Sequence, residues 1–95
     1  ALRERRPDSP ALKKYAELGR LFSESPEMKD EAAREALVEA LQSWTHRLAI
    51  ARLSEFGVTA DDVDHIVANS RGNSMKTNPV DLTDGEIGQI VLERL

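Results

Sequence analysis

The sequence predicts an all-α protein, a helical bundle of about five helices, and three observations carry that expectation. Its 95 residues are 40% apolar but only 4% aromatic, a composition that suits helices packed on aliphatic stripes. No segment alternates apolar and polar residues over the length of a strand. Helix-start signals recur along the chain, each followed by apolar residues at three- and four-residue spacing. The length fits one all-helical domain, residues 1–95.

Ser9 and Pro10 open the first strong helix, Ser9 as the cap and Pro10 at the first helical position, where the missing amide hydrogen costs nothing. Leu12, Tyr15, Leu18, Gly19 and Phe22 then form one apolar stripe, and "SESPEM" ends it. The next helix begins at Asp30 and Glu31, acids placed at the positive end of the helix dipole. Leu37, Leu41, Trp44, Leu48 and Ala51 share a face, widened by Val38 and Ala40. Periodicity permits one helix over about 30–56, longer than most, or two with a break inside that span. Gly57 can end it in a left-handed conformation.

Thr59 three residues before Asp62 has capping-box spacing, and Val63, Ile66 and Val67 follow as the buried side of a short helix. Thr83 and Glu86 repeat the device, with Ile87, Ile90, Val91 and Leu95 aligned behind them. Between these last two helices lies a loop from Arg71 to Leu82. Asn78 precedes Pro79 and is driven to an extended conformation. A polar connection of this length is often either functional or disordered.

Cysteine is absent, which excludes a disulfide framework, a thiolate zinc site and a cysteine nucleophile. No apolar run reaches the ~18 residues a membrane span needs, and "ALRERRPDSP" lacks the apolar core of a signal peptide. A cytoplasmic protein is expected. The net charge of −4 is uneven. Arg3, Arg5, Arg6, Lys13, Lys14 and Arg20 outweigh Glu4, Asp8 and Glu17 in the first twenty residues, and the rest of the chain is acidic. An acidic body repels phosphates, so nucleic acid is not the expected partner.

The residues able to carry chemistry have plain structural readings. His46 has no carboxylate or second histidine at metal-ligand spacing, and reads as packed or bonded to a neighbour. His65 lies four residues after Asp61 and next to Asp64, a spacing that could share a divalent ion. Acids in a first helical turn are favoured by the dipole in any case. Trp44 and Tyr15 fall on apolar stripes and read as core. No glycine-rich turn follows a strand, and no serine or lysine stands beside a base as a nucleophile.

Three segments nonetheless resemble a known family. Lys14 to Leu18, "KYAEL", is the first. Leu48 to Asp62, "LAIARLSEFGVTADD", is similar to "L-G-I-P-x-x-L-S-x-x-G-V-T-x-x-D", and Thr77 to Ile87, "TNPVDLTDGEI", to "T-N-P-R-x-(L/V)-T-x-x-(D/E)-(I/V)". In that order, the second one residue shorter than its pattern, they resemble the C-terminal part of the iron-containing, group III alcohol dehydrogenases, from about Asp8 to Leu95. Ala49 and Ala51 replace the glycine and proline of the second pattern, and Val80 replaces the arginine of the third.

The resemblance implies the C-terminal helical domain of the dehydroquinate synthase-like fold, belonging to an oxidoreductase that interconverts an alcohol and an aldehyde or ketone. Iron or zinc and NAD(P) are then expected in the full-length enzyme, held by an N-terminal nucleotide-binding domain and by metal ligands upstream of Ala1. None of them maps to His46 or His65, so the 95 residues are expected to be inactive alone. By the same analogy Asn73, Ser74, Met75, Lys76, Thr77 and Asn78 line the substrate cleft, with Ser74 foremost. The implied partners are the enzyme's own N-terminal domain, a small alcohol or aldehyde, and further copies in a homo-oligomer. An exposed apolar patch and self-association are expected of the isolated chain. A stand-alone helical protein-interaction module is the alternative, and a DNA-binding domain using the basic start is a weaker third.

Overall fold

The computed structural model describes residues 1–95 and is all-helical, with five α-helices, three short 3-10 turns and no strand. The α-helices are α1 (Leu2–Arg5), α2 (Pro10–Ser23), α3 (Asp30–Arg47), α4 (Val63–Asn69) and α5 (Asp84–Glu93). The chain divides into two compact units, Leu2–Ile50 and Ala51–Leu95, the second grouped with Ala1.

In the first unit the expected cap forms: the Ala11 amide donates to Ser9 Oγ at 3.3 Å, with Pro10 at the first helical position. The core consists of Leu12, Ala16 and Gly19 of α2 and Ala33 and Leu37 of α3. Gly19 is required there by space. A Cβ added to it would lie 1.7 Å from the Ala33 carbonyl oxygen, so the two helix backbones touch with no room for a side chain. Ionic contacts gather at the start of α3, where Arg20 binds Asp30 and also donates to the Met28 carbonyl at 2.7 Å, and both Arg3 and Arg34 bind Glu31.

Two core assignments need correction. Trp44 and Tyr15 are 42% and 38% exposed, and Leu18, Phe22 and Leu41 are exposed as well. The cause is the crossing itself. Helices that meet through Gly and Ala approach closely at one place, and α3 is buried only as far as Leu37, so the larger side chains stay at the margin. Phe22 and Trp44 recover part of the loss through an edge-to-face contact, ring centroids 5.0 Å apart, the arrangement that aromatic quadrupoles favour.

The helix that could have run to residue 56 ends at Arg47. Ala49 takes a left-handed conformation with φ 49°, and the chain closes with two hydrogen bonds, Ala49 to the His46 carbonyl at 3.0 Å and Ile50 to that of Thr45 at 3.1 Å. This is the Schellman arrangement, usually built on glycine because a Cβ is crowded in that conformation. Glu24 closes α2 in the same way with φ 53°. Gly57, φ 82°, closes a 3-10 turn over Leu53–Phe56, the one such closure that the sequence announces.

In the second unit α4 packs on α5 around Val67, Ile87, Gly88 and Val91. Both expected capping boxes close their backbone bond: Thr59 donates to Asp62 at 2.8 Å, and Thr83 to Glu86 at 2.8 Å while Thr83 Oγ1 accepts from Glu86 at 3.2 Å. The last turn of α5 is tied to residues 51–54. Leu53 donates to the Arg94 carbonyl at 2.8 Å, Arg52 to that of Glu93 at 3.0 Å and Ser54 to that of Leu95. These donors satisfy carbonyls that a helix end leaves without intrahelical partners. No helix is long and apolar enough to cross a membrane.

Candidate functional site

The segment from Arg71 to Leu82 joins α4 to α5, and its geometry begins at its neck. Arg71 lies just after α4. Its guanidinium donates to the Leu82 carbonyl at 2.9 Å and to Asp84 Oδ1, from Nε at 3.2 Å and from Nη2 at 2.5 Å. One side chain thus fastens both ends of the loop, through a charged leg and a neutral one.

Inside the neck the chain is more regular than its composition suggests. Asn73–Thr77 forms a 3-10 helix, ending where Asn78 turns extended (φ −62°, ψ 143°) ahead of Pro79, the conformation that a following proline imposes. Thr77 Oγ1 donates to the Ser74 carbonyl at 2.9 Å, and Asn78 Nδ2 approaches Met75 Sδ at 3.7 Å. Met75, Val80 and Leu82 are half-buried and anchor the segment. Asn73, Ser74, Lys76, Thr77 and Asn78 are exposed.

The six residues singled out from the sequence therefore form one contiguous surface turn: five exposed polar side chains over one apolar anchor. The amides of Asn73 and Asn78, the Ser74 hydroxyl and the Lys76 ammonium are donors suited to the oxygen of a small polar ligand. No acid–base pair accompanies them. The turn is equipped to bind and orient.

The histidines are elsewhere. His46 lies in the last turn of α3 and His65 in α4, both exposed. Asp62 is held below the usual carboxylate range, first by the hydrogen bond from the Thr59 amide and then by that from the Thr59 hydroxyl. No group of three or more His, Cys, Asp or Glu side chains is placed to hold a metal ion. A shallow depression of about 460 Å³ in the first unit, lined by Glu17, Arg20, Leu21, Glu24 and Pro26, includes none of the expected site residues.

Sequence reasoning missed Arg71 and its two partners. The available signal was a basic residue at the start of the loop, Arg71, and an acidic residue just past its end, Asp84. Comparison of the chain with protein-family models, with curated proteins and with solved structures found no match.

Proposed function

We propose that the chain is the C-terminal helical domain, of the dehydroquinate synthase-like fold, of a metal-dependent, NAD(P)-linked alcohol dehydrogenase acting in the cytoplasm. The turn over Asn73–Asn78 then lines the substrate end of a cleft completed by the enzyme's own nucleotide-binding domain. The comparisons lend this reading no support, so it rests on the three segments in their order and on one structural observation. The helix breaks at Ala49, in the left-handed conformation, inside the segment where the matching pattern carries glycine and proline. Alanine favours continuing a helix, so a break here follows the pattern and opposes the local residue preference.

In this reading the metal and the hydride carrier are held by polypeptide outside the 95 residues. A bound iron or zinc ion would polarise the alcohol or carbonyl oxygen as a Lewis acid. The residues of this chain would bind and orient the substrate: Ser74 and Lys76 donate hydrogen bonds, and Met75 anchors the turn.

The test starts from the reading frame that encodes the chain. It is expected to continue upstream into a nucleotide-binding domain with an aspartate and three histidines as metal ligands. The full-length protein, loaded with iron(II) or zinc, should reduce NAD or NADP with small alcohols, and Ser74→Ala should raise KM more than it lowers kcat. A frame beginning close to Ala1 would overturn the reading and leave the stand-alone interaction module in its place.

A further inference from the structure

The chain has no cysteine and two methionines, Met28 and Met75, so those two thioethers are its only sulfur and its softest electron donors. Their settings differ. Met28 stands between α2 and α3, where its carbonyl accepts from Arg20 Nε at 2.7 Å and its amide donates to the Ser25 carbonyl at 3.2 Å. Neither bond involves the thioether.

Met75 is the one apolar side chain between Asn73 and Asn78, half-buried among five exposed polar residues. Its Sδ, a weak acceptor, takes a hydrogen bond from Asn78 Nδ2 at 3.7 Å. Its carbonyl accepts from the Asn78 amide at 3.3 Å. The thioether therefore serves the turn twice. It supplies the apolar footing, and it holds Asn78, where the 3-10 helix gives way to the extended step before Pro79.

We propose that Met75 is a reversible oxidation site, at which a peroxide loosens the Asn73–Asn78 turn. In the reaction a sulfur lone pair attacks one oxygen of hydrogen peroxide. The S–O bond forms as the O–O bond breaks, the proton on the transferred oxygen passes to the departing one, and the products are a sulfoxide and water. Sulfur loses two electrons and the peroxide gains them. Both services of the side chain change. An apolar group becomes polar and chiral, and keeping a polar group half-covered costs free energy that a thioether does not. The acceptor offered to Asn78 also moves from the sulfur to an oxygen one bond further out, so the present spacing of the two side chains no longer serves. The loosening stays local, because the neck at Arg71 and the cap at Thr83 use no atom of Met75. The oxidation site does not depend on the dehydrogenase reading, and its test needs no activity.

Treatment of the 95-residue chain with hydrogen peroxide should add one oxygen to Met75, read by peptide mass. The Asn78 amide should then exchange with solvent about fivefold faster, the factor that loss of about half of a methionine's burial implies. Helical circular dichroism and exchange within α5 should stay as they were. Methionine sulfoxide reductases should restore the slow exchange. Met75→Leu keeps an apolar footing without sulfur, and its turn should be indifferent to peroxide. Met75→Gln, polar from the outset, should exchange fast without it. Met28→Leu should respond like the parent, which separates the two methionines. Met75 left unoxidised while Met28 is converted, an Asn78 amide unmoved by the added oxygen, a Met75→Leu turn that still loosens, or exchange rising equally throughout α4 and α5 would each overturn the proposal.

Discussion

In residues 2–50 two long helices press a glycine against a backbone carbonyl, whereas residues 51–95 join short helices and 3-10 turns through side chains bonded to backbone. The first unit depends on shape. Its core is small, with Ala16, Gly19 and Ala33 at the crossing and only Leu12 and Leu37 as large buried residues. The second depends on hydrogen bonds at its ends: two capping boxes, Arg71 at the loop neck, and three donors on the last turn of α5. The lesson is that steric change should damage the first unit most, and loss of a polar atom the second.

The largest effect is expected at Gly19. Gly19→Ala places a methyl group on the Ala33 carbonyl, and overpacking of this kind costs about 1–3 kcal/mol. Here the obstacle is backbone, which cannot rotate away, so the cost should fall at the upper end and be visible in urea denaturation. Gly88→Ala in the second unit is the matched control. Its added Cβ would meet Val63 and Val67 at 3.6 and 3.7 Å, ordinary contact distances, and helix propensity then favours alanine. Equal losses from the two substitutions would break the comparison.

Thr83→Ala should cost about 1 kcal/mol, the usual value of an N-cap, and its damage should appear as faster amide exchange at the start of α5. Ser9→Ala, at the weaker 3.3 Å cap of α2, should cost less. Ala49→Gly should act in the opposite direction. Relief of a left-handed alanine is worth about 1 kcal/mol, and a rise in the melting temperature checks it. A fall would mean that Ala49 is not left-handed in solution.

The smallest effect concerns acid. Asp30 is held below the usual carboxylate range first by its hydrogen bond with Arg20, and Glu31 likewise, first by Arg34 and then by Arg3. The folded state therefore binds fewer protons than the unfolded chain around pH ~4, and the contribution is complete above that range. It is lost as the pH falls through the folded values. Arg20→Met should flatten the acid limb of the stability curve of the first unit, measured by NMR signals at the start of α3. A limb unchanged by Arg20→Met would show that this pair adds no pH dependence.

Much of the fold was legible because several of its devices are written in residue types. Ser9–Pro10, the Thr59–Asp62 and Thr83–Glu86 spacings and Gly57 each announce a backbone event by their own chemistry. The left-handed form of the closures at Glu24 and Ala49 was not legible, because neither residue prefers the conformation it adopts. Trp44 and Tyr15 misled because periodicity shows which residues share a face but not how far a partner helix extends along it. At the candidate site the loop and the turn before Asn-Pro could be located from sequence. The 3-10 helix over Asn73–Thr77 could not, since it depends on Met75 finding partial cover and on Arg71 drawing the ends together.

The two legs of Arg71 respond differently to the medium. Its exposed ion pair with Asp84 weakens as added salt shortens the reach of charge, while its bond to the uncharged Leu82 carbonyl is affected far less. Concentrated salt should therefore not release the 72–81 excursion outright. It should convert a doubly pinned hoop into a singly hinged one, free to swivel about the Leu82 attachment while its base stays drawn together.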